Sequence, residues 1–174
     1  FGGRIVRDKA FFFVNYEHRD LNEPTGYSLD GSGGVCYQDC GFTDEAAEFR
    51  NYLVDNYGYD PGGLSEQTRE TPSDKILLKL DYNANDSNNL TFRYNYVDAS
   101  NLINRPGYSV YEWDSEAYDM TNETNSFVAQ WNAIFGDSFF NELRMTYTTV
   151  RDNRGGVTEP FPHVTIYNVD GEYN

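Results

Sequence analysis

The chain has 174 residues and contains no long run of apolar residues. A transmembrane helix, which needs about 20 of them, is therefore excluded. Only two histidines and two cysteines occur, and both histidines are far in sequence from the cysteines, so no zinc site is predicted. Lys and Arg number 13 against 28 Asp and Glu, a net charge of −15 that argues against nucleic acid as a partner.

Sequence motifs for catalysis are also lacking. Ser, His and Asp occur without a nucleophile elbow, and no glycine-rich phosphate loop precedes a helix. No acidic run has the spacing of a calcium loop. We therefore expect no enzymatic activity, no cofactor and no metal site.

Alternation of apolar and polar residues is what the sequence does contain, and it is typical of β-strands. It covers residues 10–19, 73–84, 90–97, 127–136 and 139–150, and residues 1–6 add a sixth strand. The connections alternate between short turns (7–9, 85–89, 136–138) and long loops (20–72, 98–125 and the residues after 152). Outer-membrane barrels sort their loops in this way, with short periplasmic turns and long extracellular loops. The predicted fold is all-β: a segment of an antiparallel transmembrane β-barrel with about six strands.

The two faces of the predicted strands differ in polarity. One face carries no charge, whereas the other carries Lys79, Asp81, Arg93, Glu142 and Arg144. A charge facing lipid costs about 2–4 kcal/mol at mid-membrane, so we expect the apolar face to point into lipid. Folding the second hairpin about Ser87 predicts a lumenal ion pair between Asp81 and Arg93.

Two other interpretations of the alternation stay open at this point. The apolar face is equally compatible with the core of a secreted β-sandwich that binds a ligand such as a carbohydrate. The chain is also compatible with a purely structural, partner-binding piece of a surface assembly. A sandwich predicts a soluble, cooperative monomer, whereas a barrel segment predicts a need for detergent.

Six strands are too few for a membrane barrel by themselves. Bacterial single-chain barrels have at least eight strands, and hydrocarbon does not permit the two open edges of a six-stranded sheet. We therefore expect the chain to be part of a larger protein.

The long loops hold most of the acidity and some structure of their own. Residues 20–72 contain eleven acidic residues against Arg50 and Arg69, and residues 98–125 contain six against Arg105. Cys36 and Cys40 reach disulfide distance if a turn brings them together, and an extracellular loop is oxidising. Residues 44–55 have a helix signal, with Thr43 as cap and Gly58 as stop. The first loop is thus predicted to carry a disulfide and a short helix.

Aromatic residues of the second loop are the candidates for ligand contact. Tyr108, Tyr111, Trp113 and Tyr118 lie among acidic residues and could stack on a sugar, a siderophore or a peptide. The alternative is that these rings pack against neighbouring loops.

The strand sequences resemble those of a known family. Residues 1–17, FGGRIVRDKAFFFVNYE, are similar to the first barrel hairpin of TonB-dependent receptors of the Oar-like branch, in which a Phe-Gly-Gly strand, a Lys/Arg-Asp-Lys turn and three Phe follow the plug. Residues 73–83 and 90–96 are similar to the next hairpin. Arg4 is a departure, since the family commonly has Pro there.

This resemblance covers about half of the chain and implies a function. It implies that residues 1–174 are part of a 22-stranded barrel domain in the bacterial outer membrane, closed by a plug that these residues do not include. The parent would take up a scarce nutrient with energy passed through TonB. The implied partners are outer-membrane lipid, the rest of the barrel, the plug, TonB through the plug, and an extracellular substrate.

Overall fold

The computed structural model describes residues 1–107, 110–162 and 164. Their main feature is one six-stranded antiparallel sheet that is built from three hairpins. The helix and strands, in chain order, are β1 (Gly2–Val6), β2 (Ala10–Arg19), β3 (Asn22–Pro24), β4 (Tyr27–Ser28), β5 (Val35–Cys36), α1 (Thr43–Tyr57), β6 (Thr68–Glu70), β7 (Ser73–Asn85), β8 (Asn88–Ile103), β9 (Tyr118–Phe135) and β10 (Phe139–Gly156).

The order in the main sheet is β1-β2-β7-β8-β9-β10, and every neighbouring pair is antiparallel. Three tight turns join β1 to β2, β7 to β8 and β9 to β10, and all three lie at one end of the sheet. The longer connections leave from the opposite end, which we call the loop end. The predicted six-stranded sheet with loops sorted by length is thus confirmed.

The register of the third hairpin is the one that the sequence predicts. Phe135 pairs with Phe139, Trp131 with Leu143 and Phe127 with Tyr147. Gly136 adopts a φ of 61° in the turn, a left-handed conformation that glycine reaches without steric cost. In a hairpin the length and type of the turn set the register of the two strands.

The register of the second hairpin was predicted wrongly by two residues. Asp81 faces Thr91 and Lys79 faces Arg93, so the predicted pairing of Asp81 with Arg93 does not occur. The pairing becomes irregular at Asn85, whose side chain accepts a hydrogen bond from the backbone N–H of Ser87 at 3.0 Å. This hydrogen bond closes a shorter turn than the predicted residues 85–89, because β7 ends at Asn85 and β8 begins at Asn88. A two-residue shift keeps every side chain on its face, which is why the polarity pattern did not reveal the error.

Strands β8, β9 and β10 are longer than predicted. They contain 16, 18 and 18 residues, so the predicted loop 98–125 shrinks to residues 104–117. The added segments are rich in Asn, Asp and Thr and pair through backbone hydrogen bonds, which apolar alternation does not signal. A membrane strand needs about 9–11 residues. The polar ends of these strands therefore extend well past a hydrocarbon layer.

The apolar face of the sheet is uncovered. Phe127, Met145 and Tyr147 are 55%, 62% and 68% exposed, values that no core residue has. The apolar face is therefore not the interior of a β-sandwich in the part of the chain that the structure describes. Within the same described residues, no helix is long and apolar enough to cross a membrane.

The loop end carries a small core of its own. Leu29 and Leu53 are buried there, together with the polar side chains of Ser28, Gln67 and Asn104. The buried Leu53 lies on α1. The folded loops thus form a second, polar packing unit beyond the sheet.

Helix α1 begins differently from the sequence prediction. Phe42 is the N-cap residue, and the Thr43 hydroxyl donates to the carbonyls of Leu29 and Cys40 instead of accepting a hydrogen bond from a helix N–H. The prediction that Thr43 caps the helix is therefore wrong. Gly58 ends the helix as predicted, with a φ of 64° and its N–H donating to Val54 O.

Candidate functional site: the loop cap

The long connections pack on one another at the loop end. We call the assembly of residues 20–72, 104–107, 110–117 and 157–162 the loop cap. Asn104 Nδ2 donates to Gln67 Oε1 at 3.0 Å, and Gln67 Nε2 donates to the Glu112 carbonyl at 3.1 Å. Both amide side chains are buried, and a buried amide is stable only when it is hydrogen-bonded. This chain of amides fixes the second loop against the first.

Backbone contacts add to that junction. Ser115 N donates to the Pro61 carbonyl at 2.9 Å, and Gly63 N donates to the Asp114 carboxylate at 3.2 Å. A side chain at Gly62 would lie 2.7 Å from Asp114, so glycine permits this close approach.

The chain after β10 also joins the cap. Thr158 Oγ1 donates to the Ser115 carbonyl at 3.3 Å. The Phe161 ring stacks on the Tyr59 ring with centroids 3.9 Å apart. All three connections at the loop end therefore share one packed unit.

The disulfide predicted between Cys36 and Cys40 is present. A 3-10 turn over Tyr37–Cys40 brings the two Cα atoms to 5.2 Å. Asp39 and Cys40 both adopt left-handed φ values, 57° and 63°. The turn that the sequence needed for this bond thus exists, and the bond closes it.

Tyr111 is held within the loop cap. Its ring packs edge-on against the Tyr37 ring with centroids 6.2 Å apart, and its hydroxyl points to the Ser65 carbonyl at 3.5 Å. Burial, and then the nearby carboxylates of Asp114 and Asp30, raise the pKa of Tyr111 to about 12. Tyr111 therefore stays neutral and packs the loops together, as in the alternative interpretation of these aromatics.

The other candidate aromatics do not gather around Tyr111. Trp113 is half-buried just before the 3-10 turn Asp114–Glu116. Tyr118 begins β9, where the Arg154 guanidinium lies 3.5 Å from its ring centroid. Tyr108 lies outside the described residues. The structure does not bring Tyr111 and Tyr118 into one contact, and their role in ligand contact stays a prediction.

The polar face of the sheet replaces the predicted lumenal pair with a different network. Asp81 pairs with Lys79 of its own strand at 2.7 Å and accepts a hydrogen bond from Thr91 at 2.8 Å. Glu17 of β2 pairs with Lys75 of β7 at 2.9 Å. These four charges are therefore paired within and between neighbouring strands.

Sequence reasoning missed a second aromatic group, at the end of α1. Tyr52 and Tyr57 have ring centroids 5.9 Å apart, and Phe161 approaches Tyr57 at 6.2 Å. Three tyrosines within eight residues, on both sides of the Gly58 stop, were the available signal. The sequence alone could not have assigned Phe161 to this group, because more than a hundred residues separate Phe161 from the three tyrosines.

The family assignment agrees with this geometry. Residues 45–171 match the family described as outer membrane beta barrel domain. The match covers most of the chain, so the chain belongs to this family, and it is a protein of the bacterial outer membrane. No curated protein and no solved structure matches the chain significantly.

Membership of the family orients the molecule. The sheet is a segment of a transmembrane β-barrel with its apolar face toward lipid, as predicted. The tight turns are then periplasmic and the loop cap is extracellular, since barrels keep their long loops outside.

Proposed function

We propose that the chain is a wall-and-loop segment of a TonB-dependent transporter that takes up a scarce nutrient by energised transport. The observation that carries the proposal is the length of the paired strands. β9 and β10 pair over 18 residues, although about 9–11 suffice to cross the hydrocarbon. The part of the two strands that extends beyond the hydrocarbon supports the loop cap. A protein that served only as a membrane anchor would not need a packed loop cap.

The polar face of the sheet fits the same proposal. It carries the ion pairs Glu17–Lys75 and Lys79–Asp81 together with Arg93, Glu142 and Arg144, and a face lined in this way suits a hydrated or protein-filled lumen. The similarity of residues 1–17 to the first barrel hairpin of TonB-dependent receptors supports the finer assignment. In the proposal this segment has no catalytic role, and the plug, TonB and the substrate are its partners through the rest of the protein.

The proposal is tested on the full-length protein isolated from outer membranes. Peptide sequencing beyond residues 1 and 174 should find a plug upstream and further strands downstream. Cross-linking in energised cells should capture TonB, and growth on the limiting nutrient should fail to the same degree when either TonB or this protein is removed.

Two results would contradict the proposal. One is a full-length polypeptide with a barrel but no plug, which would leave TonB nothing to act on. The other is normal growth of a TonB-deficient strain under conditions in which loss of this protein stops growth. Either result would keep the outer-membrane barrel and remove energised transport.

A further inference from the structure

The end of helix α1 presents an exposed group of aromatic side chains. Tyr52 is 51% exposed and Tyr57 is 61% exposed. Phe161 and Tyr59 stack on each other behind them. We call Tyr52, Tyr57, Tyr59 and Phe161 the aromatic patch. The stacked pair of Tyr59 and Phe161 is fixed in place, because its rings come from two different chain segments. Tyr52 and Tyr57 are the outer rings that a ligand can reach.

Negative charge surrounds the outer tyrosines. Glu48 precedes Tyr52 by four residues and Asp55 follows it by three, so both carboxylates lie on the Tyr52 side of the helix. Both are exposed, and among the described residues no lysine or arginine forms an ion pair with either. Arg50, the basic residue of this helix, is held by Asp60 at 2.6 Å. The patch therefore offers aromatic rings in an uncompensated negative field.

We propose that the aromatic patch binds an extended cationic peptide through arginine or lysine side chains that lie over the Tyr52 and Tyr57 rings. Cations bind ring faces when they lie within about 6 Å of the centroid. In an extended peptide, alternate side chains project to the same side about 6.6–6.8 Å apart. The Tyr52 and Tyr57 ring centroids lie 5.9 Å apart, within about 1 Å of that repeat, with the ring planes inclined by 67°.

The charges decide between a cationic peptide and a sugar. A neutral sugar can stack on tyrosine, but it gains nothing from Glu48 and Asp55. A cation gains from both the rings and the carboxylates, and these contributions act on the same side chain. The inference names a ligand class for the cap, and it rests on the proposed function only for the outward position of the loops.

The test uses full-length protein in nonionic detergent, so that neither TonB nor transport affects the result. The probe is a fluorescent peptide with alternating arginines, acetyl-Arg-Ser-Arg-Ser-Arg-amide, and glutamine replaces arginine in the control peptide. Fluorescence anisotropy should show binding of the arginine peptide alone, weakened by salt. The double variant Tyr52→Ala/Tyr57→Ala should weaken binding about tenfold, whereas Tyr52→Phe/Tyr57→Phe, which keeps both rings, should stay within about twofold of wild type.

Charge variants separate this patch from the general acidity of the cap. Glu48→Gln/Asp55→Asn should weaken binding several-fold, whereas Glu23→Gln/Glu70→Gln, which removes the same number of charges from exposed acids of the same loop, should not. Equal binding by wild type and the double alanine variant would overturn the proposal. Equal losses in the Glu23/Glu70 variant and the Glu48/Asp55 variant would also overturn it, since binding would then follow net charge. Loss of binding in the phenylalanine variant would overturn it as well, because that variant keeps both ring faces.

Discussion

Arg50 and Asp60 form a two-pronged ion pair that spans the end of helix α1. Arg50 Nε lies 2.9 Å from Asp60 Oδ1, and Arg50 Nη2 lies 2.6 Å from Oδ2. The Gly62 N–H also donates to Oδ1 at 3.0 Å. The hydrogen bond from Arg50 is the main reason why the pKa of Asp60 lies below its ordinary value of 3.8. This pair holds the reversal at Gly58 and therefore the position of Tyr59.

Asp60→Asn should loosen this reversal modestly. Because both partners are partly exposed, we expect protease cleavage between residues 58 and 64 to accelerate by less than about fivefold. The folded state lowers the pKa of Asp60, so its contribution is complete above pH 3.8 and is lost as pH falls through the lowered value. The cleavage rates of wild type and variant should then converge below that pH. Asp55→Asn is the control, and an equal acceleration in that variant would contradict the assignment.

Leu77 and Leu78 are adjacent residues on opposite faces of β7, and they provide a matched test of orientation. Leu78 pairs with Val14 and Tyr94 on the apolar face, whereas Leu77 pairs with Asn15 and Asn95 on the polar face. Leu78→Lys should destabilise the full-length barrel in lipid vesicles by about 2–4 kcal/mol, and Leu77→Lys by much less. Denaturant unfolding in vesicles measures both. A larger effect at Leu77 would mean that the faces are reversed.

Removal of the disulfide should affect the loop cap and leave the barrel intact. Replacing Cys36 and Cys40 by serine should destabilise the surrounding loop by about 2 kcal/mol, the chain-entropy estimate for a very short loop. Hydrogen exchange should rise in residues 28–43, and the unfolding of the strands should not change. Wild-type protein treated with a reductant should reproduce the pattern, and unchanged exchange in both samples would show that the turn is stable without the bond.

Gly58 tests how the helix end positions the aromatic patch. Its φ of 64° is costly for alanine, so Gly58→Ala should weaken the end of the helix by about 1 kcal/mol. Gly58→Asn should cost less, because asparagine tolerates this conformation. Gly155→Ala is a control without positive φ or close neighbours. Hydrogen exchange of residues 53–59 provides the measurement, and similar exchange in the alanine and asparagine variants would contradict the conformational explanation.

Side-chain polarity was predictable because a strand has a period of two residues. Phe12, Leu80 and Phe92 share the apolar face, and Lys79 and Asp81 share the other, as the alternation alone indicates. Pairing partners were less predictable. The Asp81–Arg93 pair failed because the turn at Asn85 depends on a local side-chain hydrogen bond that has no signature in the polarity pattern.

The loop cap shows a similar division. The disulfide and the Gly58 stop depend on residues close in sequence and were predicted. The junction of Gln67 with Asn104, and that of Tyr59 with Phe161, join residues far apart and were not. Tyr111 illustrates the consequence, because only the fold brings its ring against Tyr37 of the first loop, while its role in ligand contact stays a prediction.

The sequence by itself determined the all-β class, the number of strands in the main sheet, the polarity of each face and the end of the sheet that bears the loops. These properties follow from residue types and from the two-residue alternation of polarity, and both can be read within each segment by itself. Only the tertiary structure decided the register of the second hairpin, the length of the strands and the assembly of the cap. Those properties depend on backbone pairing and on contacts between distant segments, and a polar backbone hydrogen bond is nearly the same for every residue type.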